Sequence, residues 1–260
     1  MSTCNDCSVA KCDIFDFMAK HVGMTVIHPG GMKATQQLLD QLHITKNSKV
    51  VDIACGKGTT ALYIAERYGC NVIGIDVEKD LIEEANQLVR KKGLEHKVTF
   101  HVGDAMWLPF EDNSFDVAVS QAMLVLVKDK FRTIQEARRV IKKGGRAGWL
   151  ELSWKKIPDA EFMDVISNVL CAYCMTNVST YEGWETIFRK AGINNLVIQK
   201  GDNVRGSFIQ NLSDEGLLNT VKMAFNIMRN KDIRKRSRMM DKYFDKYSNY
   251  FGLGTYVFEK

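Results

Sequence analysis

The residues best placed to do chemistry in this chain are acids that close apolar runs. Asp52 ends Val50-Val51 and leads into Ile53-Ala54-Cys55-Gly56-Lys57-Gly58-Thr59-Thr60. An apolar run passing into small residues and two glycines, with a helix-like segment behind, reads as a buried strand, a tight loop and a helix start. Glycines let such a loop turn through positive φ and let a ligand approach without a Cβ in the way. Asp76 closes the next apolar run, Asn71 to Ile75. It falls about 20 residues beyond the glycines, where a nucleoside-binding α/β unit sets a carboxylate on the ribose hydroxyls. Val77 follows it. A third run, Val98 to Val102, leads into Gly103-Asp104-Ala105-Met106.

Other reactive side chains are scattered. Glu151 lies inside an apolar run and either reaches a pocket or marks a strand end. Cys171 and Cys174 are three apart, a spacing that shares a helix face. They read either as a thiol pair for a soft substrate or ion or as two small buried hydrophobes. Cys4-x-x-Cys7, with Cys12 nearby, has half of a zinc-ligand spacing and no second pair at a zinc-finger distance, so a tail is expected there and no metal site.

The elements that must position these groups alternate strand and helix. Strands are expected at 50–52, 72–76, 98–102, 117–120, 146–152 and 195–200, with a last strand over 250–260. Helices are expected at 32–42, 59–68, 78–92, 131–141, 181–191 and 212–229, with apolar residues at helical spacing, and 158–175 is expected to be an inserted cap. Leu217, Leu218, Val221, Ala224, Phe225 and Met228 have the spacing of a core-facing helix. The run 229–246 is strongly basic and reads as a solvated face or as a patch for an anionic substrate or a membrane surface. With 260 residues, 45% apolar content and a net charge of +5, a globular domain with a cap is expected and no nucleic-acid partner. No apolar run reaches the roughly 18 residues of a membrane span. Seven scattered cysteines suit reduced thiols and a cytoplasmic location.

In order, these motifs resemble class I S-adenosylmethionine (SAM)-dependent methyltransferases of the small-molecule branch, the phosphoethanolamine methyltransferase-like group. The family's first loop is an acid followed by three alternating glycines; here Ala54 stands at the first, with Gly56 and Gly58 at the others. Leu108-Pro109-Phe110-Glu111-Asp112-Asn113-Ser114-Phe115-Asp116 closely matches the family's loop before the fourth strand. Gly30-Gly31-x-x-Ala34-Thr35 is similar to the segment that lies over the cofactor's methionine end.

The resemblance implies a Rossmann-like α/β fold: a seven-stranded, mostly parallel sheet with helices on both faces and a helical cap. It divides the chain into a tail and cap helix (1–30), a SAM-binding core (31–155), a cap insertion with remaining core elements (156–246) and a C-terminal edge strand (247–260). It implies SAM contacts from Pro29, Gly30, Gly31, Asp52, Ala54, Gly56, Gly58, Asp76, Val77, Asp104, Ala105, Met106, Ser120 and Gln121, with Asp104 and the next backbone N–H reading adenine. His28 faces the substrate or caps its loop. Many relatives carry His or an acid where Val125 stands, and Val125 cannot relay a proton. The expected activity is methylation of a small-molecule amine, thiol or metalloid under a cap, with His28, Glu151, Cys171 and Cys174 as candidate catalytic groups. The alternatives are a membrane-surface lipid or quinone methyltransferase, with weak surface contact through 229–246, and a SAM-binding regulatory protein without catalysis.

Overall fold

A computed structural model describes residues 13–201 and 214–260. The strands are β1 (Lys49–Ile53), β2 (Asn71–Asp76), β3 (Val98–Val102), β4 (Phe115–Gln121), β5 (Ile141–Trp154), β6 (Ser179–Thr180), β7 (Val197–Gly201) and β8 (Phe251–Glu259). They form one sheet in the order β3-β2-β1-β4-β5-β8-β7, with the two-residue β6 beside β5. Strands β1 to β6 pair in parallel; β8 runs antiparallel to both β5 and β7. Order reverses between β1 and β4, and ligands bind at such a switch point, beyond the carboxyl ends of the strands. Register brings those ends level: Ile53 pairs with Ile75 on one side and Ser120 on the other.

Helices cover both faces, because each presents one apolar stripe to a sheet buried on both sides. One core gathers Leu38 and Leu39 of α2 (Gly31–Leu39), Ala61 and Ile64 of α3 (Thr59–Tyr68), and Ile82 and Val89 of α4 (Lys79–Lys92). The other gathers Ile134 and Ala137 of α5 (Lys130–Val140), Trp184 and Phe188 of α7 (Tyr181–Lys190), and the cap. In that core the Trp149 ring stacks on Phe258 at 5.6 Å. The cap has its own aromatic centre, where Phe162 stacks on Tyr247 at 4.1 Å.

The cap begins with α1 (Ile14–Asp16), which continues as a π-helical stretch, Phe17–Val22. It includes α6 (Ala160–Asp164), α8 (Gly216–Arg229) and α9 (Lys231–Lys246). Asn230 separates the last two and caps α9, its side chain accepting from the Asp232 and Ile233 N–H groups.

Three expectations are corrected. The cap segment 158–175, where one helix face was expected to join Cys171 and Cys174, is α6, a π-helical stretch Val165–Val169 and a 3-10 turn Tyr173–Asn177. Cys171, between the last two, has φ +48°, which no helix accommodates, so the shared-face argument for the two thiols fails. β8 is not an edge strand: it lies between β5 and β7, which suits its nearly unbroken burial. β5 begins at Ile141, and the expected stop, Lys142 to Gly145, is extra chain bulged out between the pairs Phe115–Ile141 and Val117–Arg146. The seven expected strands form the ordered path of the sheet, and the two-residue β6 adds an eighth beside β5. The N-terminal cysteines Cys4, Cys7 and Cys12 lie outside the described residues.

Candidate active site

The loop after β1 is built by backbone hydrogen bonds onto β2. Cys55 N–H donates to the Ile75 carbonyl at 3.1 Å, and Gly58 N–H to the Cys55 carbonyl at 2.9 Å. Gly56 N–H donates to Asp76 Oδ2 at 2.8 Å, while Asp76 Oδ1 accepts from Glu78 N–H at 3.0 Å. Gly58 starts α3 with φ +78°, and a Cβ there would sit 2.4 Å from the Phe100 ring, so no other residue fits. Ala54 also lies in the left-handed region, at φ +60°. The family's glycine would cost nothing there, whereas alanine carries about 1 kcal/mol of backbone strain. Ala54→Gly is therefore expected to leave SAM affinity intact and raise unfolding free energy by up to about 1 kcal/mol, read by urea denaturation. A destabilised variant would contradict the strain.

Asp52 is buried under this loop. Burial, and then the neighbouring charge of Asp76, push its carboxyl up to about 8 against the pull of the Ala61 N–H. Its Oδ2 has no hydrogen-bond partner in the protein. Asp76 is also raised, chiefly by burial, opposed by the Glu78, Gly56 and Val77 N–H groups.

These features fit a nucleoside. A Cβ built on Gly56 would meet nothing within 4 Å, so the loop leaves open space above it. Asp76 keeps acceptor capacity beyond its two backbone bonds. Val77 is half exposed, offering an apolar surface beside the carboxylate. The Gly103 N–H bonds the Asp76 carbonyl at 2.8 Å, setting Asp104 beside that surface. Asp104 Oδ1 accepts from Met106 N–H at 2.8 Å, and Asp104, Ala105 and Met106 all stay half-buried.

At the end of β4, Ser120 turns inward and donates to the Ile53 carbonyl at 2.8 Å. It locks β4 to β1 rather than lining open space. Gln121 ties three segments together. Its Nε2 donates to Thr60 Oγ1 at 2.9 Å, and its Oε1 accepts from Thr35 Oγ1 at 2.8 Å. Thr35 Oγ1 also lies 3.2 Å from His28 Nε2, while His28 Nδ1 is 3.4 Å from the Pro29 carbonyl. Burial lowers His28 to about 4, so the imidazole is neutral at physiological pH. The next residue, Ala122, again has positive φ (+53°); such strain clusters at functional edges.

The segment before α2 is held down over the loop by groups from far along the chain. Glu215 Oε1 accepts from the Thr25 and Val26 N–H groups at 2.6 and 2.8 Å, and Asp214 Oδ2 from Met32 N–H at 2.7 Å. Lys57 reaches the Ala19 carbonyl at 3.0 Å, and Thr59 the Thr25 carbonyl at 3.3 Å. Thr35, Thr60, Asp214 and Glu215 carry no sequence signal for these roles, apart from the place of Thr35 in the Gly-Gly-x-x-Ala-Thr run.

Glu151 is wholly buried behind the β4 loop. Its Oε1 accepts from the Met123 and Leu124 N–H groups at 3.2 and 3.1 Å, and Oε2 is unpartnered. Burial raises it to about 8. Val125 is buried in the core beside the cap. Cys174 is buried near Asp13, and burial pushes its thiol well up; Cys171 is half-buried at the chain's turn. Among the described residues no group of three or more His, Cys, Asp or Glu gathers as for a metal ion.

The loop also stands on a second buried acid that sequence reading passed over. Glu136 Oε2 accepts from Leu108 N–H at 2.9 Å, and Arg139, paired with Glu136, donates to the Leu108 and Phe110 carbonyls. This explains the fixed shape of the Leu108–Asp116 string.

Strand order, glycine loop and the two acids at the ends of β1 and β2 define a doubly wound nucleoside-binding enzyme domain. The chain belongs to the methyltransferase-domain family, whose model matches residues 44–192, and it is a class I SAM-dependent methyltransferase of the small-molecule type. It is 30% identical to an uncharacterized protein of Haemophilus influenzae, covering 88% of this chain and 91% of that one. It is also 30% identical to methyltransferase GfsG of Streptomyces halstedii, over 64% of this chain and 60% of that one. A phosphoethanolamine N-methyltransferase 2 of Haemonchus contortus shares the fold, with a TM-score of 0.76 at 19% identity, over 96% of this chain and 60% of that one. The chain thus spans less than two thirds of the length of these two named proteins.

Proposed function

We propose that this methyltransferase acts on a small-molecule nucleophile that needs no strong base from the protein, an amine or a thiol. The observation that carries this reading is the charge state of the acid–base groups around the β4 end. His28 is neutral, with both ring nitrogens facing other groups of the fold. Glu151 is held largely protonated near neutrality, and its only bonded oxygen is taken by backbone N–H groups. A nucleophile needing a strong base to ionise it finds none ready in these two. When bound, SAM supplies a methyl group already activated on a positively charged sulfur. The protein then has to position and dehydrate rather than to abstract a proton early.

In this reading Asp76 holds the ribose hydroxyls, and Asp104 with the Ala105 backbone holds the adenine. Pro29, Gly30, Gly31 and Gln121 border the methionine end. The Gln121–Thr35–His28 chain fixes that border, and the segment Val22–Met32 closes it to water. Held by these residues, SAM would supply its methyl at the border set by Gln121, Thr35 and His28, where the protein would align the acceptor's lone pair, and an amine's surplus proton would leave to solvent. The metalloid reading needs a reactive thiol pair. Burial keeps Cys174 protonated, and thiolate rather than thiol is the ligand and nucleophile, so the cysteines are given a packing role.

The test is transfer of labelled methyl to a panel of simple amines, thiols and arsenite, by wild type and by Cys171→Ser/Cys174→Ser. Label on an amine or a simple thiol, unchanged in the double variant, is the expected result. Label on arsenite that disappears in the double variant would overturn the assignment and make the cysteines the acceptor site.

A further inference from the structure

The stripe expected to face the core along α8 faces solvent instead. Leu217 and Leu218 are 81% and 83% exposed, and Val221, Phe225 and Met228 are each more than half exposed. Among the described residues only Met223 of this helix is buried. Five large apolar side chains at spacings of one, three or four form one continuous face, and a monomeric protein rarely leaves such a face to water.

The charge carried by this helix is all of one sign. Within α8 the only charged side chains are Lys222 and Arg229, both exposed. Arg229 lies 5.8 Å from the Phe225 ring, at the border of the stripe. Residues 216–246 hold nine cations against three aspartates, a surplus of six, while the whole chain carries +5. The rest of the protein is therefore about neutral; of the nine cations Arg236 is buried over the Phe17 ring, while Lys222, Arg229, Lys231, Lys235, Arg238 and Lys242 are exposed.

We infer that α8 docks on an anionic lipid surface, its apolar face in the headgroup boundary and the cations of α8 and α9 on lipid phosphates. An apolar face on a helix whose own charged residues are all cations fits a helix that lies in a membrane interface, and each cation near such a surface adds electrostatic attraction. The mode is surface contact, since no helix among the described residues is long and apolar enough to cross a membrane. The inner side of the same helix grips the segment over the active site. Asn219 donates to the Gly23 carbonyl and Asn226 to the Val22 carbonyl, each at 3.1 Å, beside the Glu215 bonds to Thr25 and Val26. Docking thus brings the cover of the methyl-transfer site to the bilayer. The inference stands apart from the assignment of the acceptor, because its test reads binding and not turnover.

The experiment is co-sedimentation of the full chain with phosphatidylcholine vesicles, with and without about one-third phosphatidylserine, over a salt series. Wild type is expected to bind the anionic vesicles at low ionic strength and to release as salt rises. Leu218→Glu/Phe225→Glu, at two exposed positions, should weaken binding at least about tenfold while keeping SAM affinity. Lys231→Glu/Lys235→Glu, which leaves the apolar face intact, should do the same and flatten the salt dependence. Absence of wild-type binding to the anionic vesicles, or equal binding by both variants, overturns the inference. So does a wild-type dimer in light scattering that Leu218→Glu/Phe225→Glu dissolves, since a second copy would then be what covers the face.

Discussion

Asp76→Ala is expected to weaken SAM binding by a hundredfold or more in calorimetry. Its carboxylate has two tasks. It accepts from the Gly56 and Glu78 N–H groups and so gives the glycine loop its shape, and it has acceptor capacity left for the ribose hydroxyls. Hydrogen bonds to a charged group contribute about 1.5–3 kcal/mol each. Losing the ribose contacts and the loop anchor together costs about 3 kcal/mol or more, and each 1.4 kcal/mol is tenfold in affinity. Asp76→Asn keeps one acceptor for Gly56 and should lose less. Because burial raises the Asp76 carboxyl, wild-type affinity should begin to fall at a higher pH than an ordinary aspartate would give. Undiminished affinity in Asp76→Ala would defeat the ribose assignment.

The largest stability effect is expected at Glu151. Alanine there strands the Met123 and Leu124 N–H groups and opens a cavity in a fully buried site, a combined loss of about 3–5 kcal/mol. Glutamine keeps the acceptor and the volume, so Glu151→Gln should stay within about 1 kcal/mol of wild type below neutral pH. The two variants separate packing from charge. The folded-state carboxyl titrates at about 8, above the ordinary value of 4.5, so the folded protein holds a proton that the unfolded chain releases. The associated stability is fully present below about 4.5 and is lost as pH rises toward and through 8. Urea unfolding should show wild type losing stability over that window relative to Glu151→Gln. Parallel curves would move the effect to another group, Asp52 being the other buried acid raised to about 8.

Much of this protein is written locally. The alternation of apolar runs with helical stripes gave the sheet and its order of elements, because a strand buried on both faces must be apolar throughout and a helix on its surface must be apolar on one side. The acids Asp52, Asp76 and Asp104 were legible because each closes a strand, and strand ends in this topology lie at one edge. The glycines Gly56 and Gly58 were legible because the turn requires positive φ.

What depends on distant partners was decided only by the tertiary structure. The spacing of Leu217, Leu218, Val221, Phe225 and Met228 specifies an apolar stripe but not what it meets; it is open because the inner side of α8 is spent on Val22 to Val26. The sequence showed that Cys171 and Cys174 were three apart; the left-handed turn at Cys171, which removes them from a common helix face, is a backbone event without a local signal. Thr35, Thr60, Asp214 and Glu215 are ordinary polar residues in sequence. They become the frame of the methyl-transfer edge because folding brings segments nearly two hundred residues apart within hydrogen-bond reach, where buried N–H and hydroxyl groups must find partners. The charge states of His28 and Glu151 arise in the same way. Each residue type is ordinary, and burial in the folded protein, rather than any neighbour in sequence, makes one neutral and the other hold its proton.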